Sequence, residues 1–185
     1  MNTSKLTLSK KSFVNGSWVE TQGDVFTNYN PTSNSVIDVY HNAQQRDAEL
    51  AAEAAREAYP TYKSLTGMQR AEFIEQLANE IEALGDQLLE TANLETGLGL
   101  PRLTGERGRT CNQLRAFADL LKEGSWVRAT LDSSDTERTP PKPDLRRMLR
   151  PIGPVLVFPA SNFPLAFGLL GGDTASALAA GNPVE

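Results

Sequence analysis

The stretch Pro151 to Pro164, PIGPVLVFPASNFP, constrains the fold more than any other part of the chain. Val155, Leu156, Val157 and Phe158 form a continuous apolar, β-rich run, which predicts a strand covered on both faces. Pro159 cannot donate to a ladder and ends it. Leu165 to Ala180 then reads as a helix, and a strand followed by its helix opens a βαβ unit. Val184 falls where the next parallel strand would begin, so the chain reads as α/β and as stopping in mid-sheet. Ser161 and Asn162 lie between two prolines just past the carboxyl end of the first strand, where ligands gather in open parallel sheets. The Asn162 amide offers two donors and no charge, which suits an oxygen that becomes an oxyanion. A cap for the helix starting near Leu165 is an equally good reading of the same residue.

Upstream, Asn15-Gly16 between Phe13-Val14 and Ser17-Trp18-Val19 predicts a tight hairpin. A second pair of strands should flank Asn30 to Ser33 and end at Val36 to Val39. Asn42 with Gln45 marks a helix start whose apolar face is Leu50, Ala51, Ala54, Ala55 and Ala58, with Pro60 as its end. Thr66 and Gln69 form a capping box ahead of the best helical stripe, Phe73, Ile74, Leu77, Ala78, Ile81 and Leu84. A short helix should cover Asp86 to Leu94 and stop near Gly97. A further helix should run from Leu103 to Leu121 with Leu114, Phe117, Ala118 and Leu121 inward. Trp126 to Leu131 and Leu145 to Leu149 read as strands around a polar, proline-rich loop, Asp132 to Asp144.

The 185 residues are enough for one domain with a full core. A net charge of −5 argues against a general binder of nucleic acid or anionic membrane. Leu6 and Leu8 make no signal h-region, and Leu165 to Ala180 is too short to span a bilayer. One cysteine, Cys111, excludes an internal disulfide and suits a reducing, cytoplasmic setting. Cys111 lies three residues before Leu114 on the apolar stripe with no histidine near it, which reads as a buried structural thiol. His41, the one histidine, cannot make a metal site alone, and no metal is expected. Gly171-Gly172-Asp173 lacks the spacing of a phosphate fingerprint.

Seven segments in order carry a resemblance: FVNGSWV from Phe13, YNPTSNSVIDV from Tyr29, ETGL from Glu95, LPRLTGERGRT from Leu100, KPDLRRMLRPIGPVLVF from Lys142, ASNFPLAF from Ala160, and GGDTASALAAGNPV from Gly171. Together they resemble the N-terminal portion of the aldehyde dehydrogenase superfamily. The subgroup they are most similar to is the α-ketoglutarate semialdehyde (2,5-dioxovalerate) dehydrogenases.

The resemblance implies a hairpin and helical part of a Rossmann-like cofactor domain over 1–125, a small β oligomerisation arm over 126–149, and the first, incomplete β-α unit of the sheet over 150–185. It implies NAD or NADP as cofactor, a small aldehyde as substrate and a homo-oligomer, dimer or tetramer. Family chemistry uses a cysteine thiolate that attacks the aldehyde, hydride transfer to the nicotinamide, and water activated by a glutamate. By this likeness Asn162 supplies the oxyanion amide. Phe158, Pro159, Ala160 and Ser161, with Asn162, lie against the nicotinamide ribose. Many relatives have glycine at Pro159 and tryptophan at Ser161, and the proline removes one backbone donor. Phe163 and Leu170 match walls of the substrate tunnel. Arg109 matches a tunnel position where a guanidinium would hold the distal carboxylate of a dicarboxylic semialdehyde. The competing reading of Arg109 is a solvated basic helix face, shared with Arg102, Arg107 and Arg115. The nucleophilic cysteine, the glutamate, the cofactor lysine and the glycine-rich turn all fall outside this sequence, so the chain alone is expected not to turn over aldehyde. The alternative is a non-catalytic homologue that binds a full-length dehydrogenase through the arm strands.

Overall fold

The structure, a computed structural model, describes residues 8–185, so the reading of Leu6 lies outside the described residues. Strands β1 (Ser12–Val14) and β2 (Ser17–Val19) pair antiparallel, with Phe13 opposite Trp18. Asn15 at φ 48° and Gly16 at φ 74° make the turn that the sequence predicts. Strands β3 (Val25–Tyr29) and β4 (Val36–His41) form the second antiparallel pair.

Helix α1 (Gln45–Tyr62) starts later than Asn42 suggested, because Asn42 still pairs with Gly23 and Asp24 through its own backbone. The Gln44 N–H instead donates to the Asp47 carboxylate at 2.8 Å. Pro60 does not end this helix. It lies in the last turn, where the missing N–H forfeits only one bond, at an exposed position. The Thr66 box starts α2 (Gly67–Ala83) as expected, its hydroxyl accepting from the Gln69 N–H at 3.2 Å. Helix α3 (Gly85–Thr96) stops at Gly97, φ 65°, and α4 (Leu100–Glu123) stops at Gly124.

The core is a helical layer. Ala71, Ile74, Ala78 and Ile81 of α2 meet Cys111, Leu114, Ala118 and Leu121 of α4, and Ala175 and Ala179 of α5 (Gly172–Ala180) close the cluster. Fully burying a side chain such as Ile74 or Leu114 stabilises by about 1.5–3 kcal/mol. Small residues at 71, 78, 118, 175 and 179 let the three helices approach closely.

Trp126 is not in a strand. Ser125–Val127 is a 3₁₀ turn that lays the Trp126 ring 5.5 Å from the Arg70 guanidinium, and Arg128 at φ 50° reverses the chain. The two strands around the polar loop are shorter than predicted, β5 (Thr130–Asp132) and β6 (Leu145–Arg147), paired antiparallel. The loop between them is cross-linked by Asp135 and Lys142, whose backbones bond at 3.0 and 2.8 Å.

No strand forms over 155–158, and the predicted parallel return is reduced to one isolated bridge. Val155 bridges Val184 in parallel, with Val155 N–H on the Pro183 carbonyl and Val157 N–H on that of Glu185, both at 2.9 Å. Nor is the run covered on both faces among the described residues: Val155 and Val157 are half-buried, whereas Leu156 is 57% and Phe158 80% exposed. The neighbour of this extended segment among the described residues is the 183–185 segment.

The helix expected from Leu165 begins only at Gly172. Residues 161–171 form a compact run of turns in which Phe167 N–H bonds the Phe163 carbonyl at 2.9 Å and Ala160 N–H that of Phe167 at 2.9 Å. The backbone folds so tightly that a Cβ on Gly168 would lie 2.0 Å from the Pro164 oxygen. This close approach, which only glycine allows, replaces the first two turns of the expected helix.

Candidate functional site

Three side chains spaced four apart on one face of α4, Arg102, Glu106 and Thr110, reach the 161–171 turn. Glu106 is 5% exposed and sits between the other two. Its Oε1 accepts from Arg102 Nε at 3.0 Å and its Oε2 accepts from the Leu165 N–H at 3.2 Å. The second arm of the Arg102 guanidinium donates to the Asn162 carbonyl at 2.5 Å. Thr110 donates through Oγ1 to the Leu165 carbonyl at 2.8 Å. Glu106 and Thr110 were not singled out from sequence. The signal for them was there, since 103, 106, 110 and 114 follow one buried stripe and two of those positions are polar.

The turn presents two aromatic rings to α4. Phe163 and Phe167 pack edge to face at 5.4 Å, with Arg102 4.9 Å from the Phe163 centroid and Arg109 4.9 Å from that of Phe167. The structure therefore brings Arg109, Phe163 and the Asn162 turn to one side of α4. Leu170 is not with them on that aromatic pair; it is half-buried against the α2–α4–α5 core. Asn162 is exposed, and its side-chain amide makes no hydrogen bond among the described residues. It does not cap α5, whose N-cap is Gly171.

Three of the four α4 arginines singled out above are engaged elsewhere. Arg102 holds Glu106 and Asn162, Arg107 donates to the Gly85 carbonyl at 2.7 Å, and Arg115 grips Glu82 through both arms at 2.8 and 2.7 Å. The Glu82 carboxylate holds the Arg115 guanidinium above its ordinary range, and Arg115 pulls Glu82 down. Arg109 alone of the four has no hydrogen-bonding or ion-pair partner among the described residues.

Phe158, Pro159, Ala160 and Ser161 are exposed in the stretch leaving the extended segment. Pro159 has no N–H and the Ala160 N–H is taken by the Phe167 carbonyl, which leaves the N–H groups of Phe158 and Ser161, the Ser161 hydroxyl and the carbonyls of the stretch. Hydroxyl groups of a sugar match such a mixed surface of donors and acceptors.

Cys111 is fully buried, its thiol 3.6 Å from the Ala78 carbonyl, and burial pushes its pKa up, with Glu82 adding to the shift. It is a structural thiol. His41 Nδ1 lies 3.2 Å from the Gly23 carbonyl at the end of β4. No cluster of metal-ligating side chains occurs among the described residues, and no helix is long and apolar enough to cross a membrane.

A profile of the aldehyde dehydrogenase family matches residues 18–184. The chain is 51% identical over 159 residues to alpha-ketoglutaric semialdehyde dehydrogenase 2 of Azospirillum brasilense, covering 84% of this chain and 30% of that protein. It is 45% identical over 177 residues to alpha-ketoglutaric semialdehyde dehydrogenase of Acinetobacter baylyi, covering 92% and 33%. In structure it is similar to a betaine aldehyde dehydrogenase double mutant from Staphylococcus aureus in complex with NAD+. The TM-score is 0.81 at 25% identity, over 96% of this chain and 34% of that one. The chain thus spans about a third of the length of the relatives it matches.

Proposed function

The chain belongs to the aldehyde dehydrogenase family, and from that premise we propose that it supplies the oxyanion amide and part of the substrate wall of an NAD(P)-dependent α-ketoglutarate semialdehyde dehydrogenase. The observation that carries this reading is the unpaired Arg109 guanidinium on the aromatic pair beside the Asn162 turn. A dicarboxylic semialdehyde has one reacting carbonyl and one distal carboxylate. Asn162 answers the first and Arg109 the second.

The proposed chemistry starts when a thiolate, supplied by a part of the enzyme outside this chain, forms a carbon–sulfur bond to the aldehyde. The carbonyl π electrons move to oxygen, and the Asn162 amide N–H donates to that oxyanion. As the oxyanion collapses to a carbonyl, hydride leaves the same carbon. A bound nicotinamide would supply the acceptor for that hydride. Water then cleaves the thioester to the acid and returns the thiol. The Asn162 amide again holds the oxygen of the tetrahedral species. Losing such a donor costs on the order of 10²–10³ in rate.

The residues present fit a dinucleotide at its sugar end. The exposed polar groups of 158–161 suit ribose hydroxyls. The same reading makes β5 and β6, with exposed Leu131 and Leu145, an oligomerisation arm of a cytoplasmic homo-oligomer.

The test is steady-state kinetics of the full-length enzyme and its Arg109→Met variant, with NAD and with NADP. A charge-assisted bidentate contact is worth about 1.5–3 kcal/mol, so kcat/KM for α-ketoglutarate semialdehyde should fall about 10–150-fold. Pentanal, which has no carboxylate, should be affected about twofold or less. Equal losses on both aldehydes would remove Arg109 from substrate recognition.

A further inference from the structure

We propose that Glu106 is the positioning residue for the Asn162 amide, acting as the hub of a clamp that fixes residues 162–165 onto α4. The inference rests on the oxyanion role of Asn162 just proposed. Its own basis is geometric.

The segment 162–165 has few backbone handles. Pro164 carries no N–H, and the Phe163 carbonyl already accepts from Phe167. Of the other groups, the Asn162 carbonyl and both polar groups of Leu165 are bound by side chains of α4. Arg102 takes the Asn162 carbonyl, Glu106 takes the Leu165 N–H, and Thr110 takes the Leu165 carbonyl. Glu106 also holds Arg102 through Nε, so one carboxylate aligns both the arginine and the leucine amide. The closed path runs from Asn162 through Arg102 and Glu106 to Leu165 and back along the chain.

A buried carboxylate is a poor choice for stability alone, because its desolvation offsets much of its pairing. Glu106 has a single cation among the described residues, Arg102, which is half outside the core on the solvent side. What the arrangement provides is direction. Carboxylate acceptors draw strong, short, charge-assisted hydrogen bonds, here from two donors a fixed distance apart. Asn162 has no side-chain partner to hold it, so its amide is aimed only by its backbone. That backbone is set by the clamp. A misplacement of about 1 Å in such a group can cost 10²-fold.

The experiment uses the full-length protein with Glu106→Leu, which removes both acceptors at similar volume, and Glu106→Gln, which keeps an acceptor for Leu165. Amide hydrogen exchange is read at Leu165 and Phe167, with Leu114 and Ala118 in the core as reference. In Glu106→Leu exchange at the two turn amides should rise at least about tenfold while the core amides hold; Glu106→Gln should recover most of the protection. Aldehyde kinetics should show kcat lowered about 10–100-fold with KM changed about twofold or less, and partial rescue in Glu106→Gln.

Unchanged turn exchange in Glu106→Leu overturns the clamp. A parallel rise in the core overturns a positioning role in favour of general stability. Looser turn amides with unchanged kcat overturn the link to Asn162. If the wild type oxidises no aldehyde, the functional reading fails by itself, and the exchange measurements still decide the clamp.

Discussion

Asn182 offers a sharp test of how the βα unit is held in place. It is 5% exposed, at the end of the crossover, and its Oδ1 accepts from the Ile152 N–H at 2.9 Å and the Gly153 N–H at 3.1 Å. The Asn182 N–H itself donates to the Ala177 carbonyl at 3.0 Å. One side chain therefore ties the entry of the extended segment to the exit of α5. Asn182→Ala leaves two donors without partners, but they are not equivalent. Ile152 is 89% exposed, so water replaces the lost acceptor there. Gly153 is buried, and an orphaned buried N–H costs about 1–3 kcal/mol. With the void left by the amide, the expected loss is about 2–3 kcal/mol. That is a large share of the roughly 5–15 kcal/mol available to a domain. The assay is urea denaturation with hydrogen exchange at Gly153, alongside Asn112→Ala on the exposed face of α4, which should stay within about 0.5 kcal/mol of wild type. Asn182→Asp, which keeps both acceptor positions, should retain the Gly153 protection. An Asn182→Ala protein within about 0.5 kcal/mol of wild type with Gly153 still protected would refute the assignment of these bonds as structural ties.

Two other perturbations follow from the same corner of the molecule. Gly181 has φ 93°, and a Cβ there would lie 2.1 Å from Arg70 Nη1 and 2.7 Å from Pro151 Cγ. Gly181→Ala should cost about 2–4 kcal/mol in denaturant titrations, whereas Gly16→Ala, at φ 74° in open space, should cost only about 1 kcal/mol. Tyr62 donates its hydroxyl to the Leu178 carbonyl at 3.1 Å, and burial pushes its pKa from 10.0 up to about 12. Because the folded pKa is the higher one, the native state holds the proton more tightly. The contribution of Tyr62 is full below pH 10 and is lost as pH rises toward 12. The difference in stability between wild type and Tyr62→Phe should be flat below pH 10 and shrink above it; a difference that grows there would reverse the sign.

What the sequence disclosed was mostly local. Asn15-Gly16 dictated a hairpin because both residues readily take the positive φ angles of a tight turn, and Thr66 with Gln69 marked a helix start through reciprocal bonds within one turn. The α2 stripe was legible at Ile74, Ala78 and Ile81, while Phe73 and Leu84, at its edges, are exposed. Apolar periodicity finds the face of a helix but not how far the neighbouring helix reaches across it. The 161–171 turn was illegible for the opposite reason. Its apolar residues fit a helix as well as a turn, and the choice is made by contacts of Gly168 and by α4, 55 to 60 residues away in sequence.

The site shows the same division. The structure gathers Asn162, Phe163 and Arg109, all read from the sequence, on one side of α4, and Leu170 lies half-buried against the helical core. Glu106 escaped notice because a glutamate among four arginines looks like a solvated charge. Its register says otherwise. Leu103, Glu106, Thr110 and Leu114 share one buried stripe, and a carboxylate placed there has to meet donors to compensate for its lost hydration. Those donors are Arg102 from the same helix and an amide of the turn. The segment at 155–158 carries the converse lesson. Its continuous apolar run fits a strand covered on both faces, whereas the structure has one bridge there with Val155 and Val157 half-buried. Leu156 and Phe158 are the exposed residues of that run, so the apolar pattern overstates the burial of this segment among the described residues.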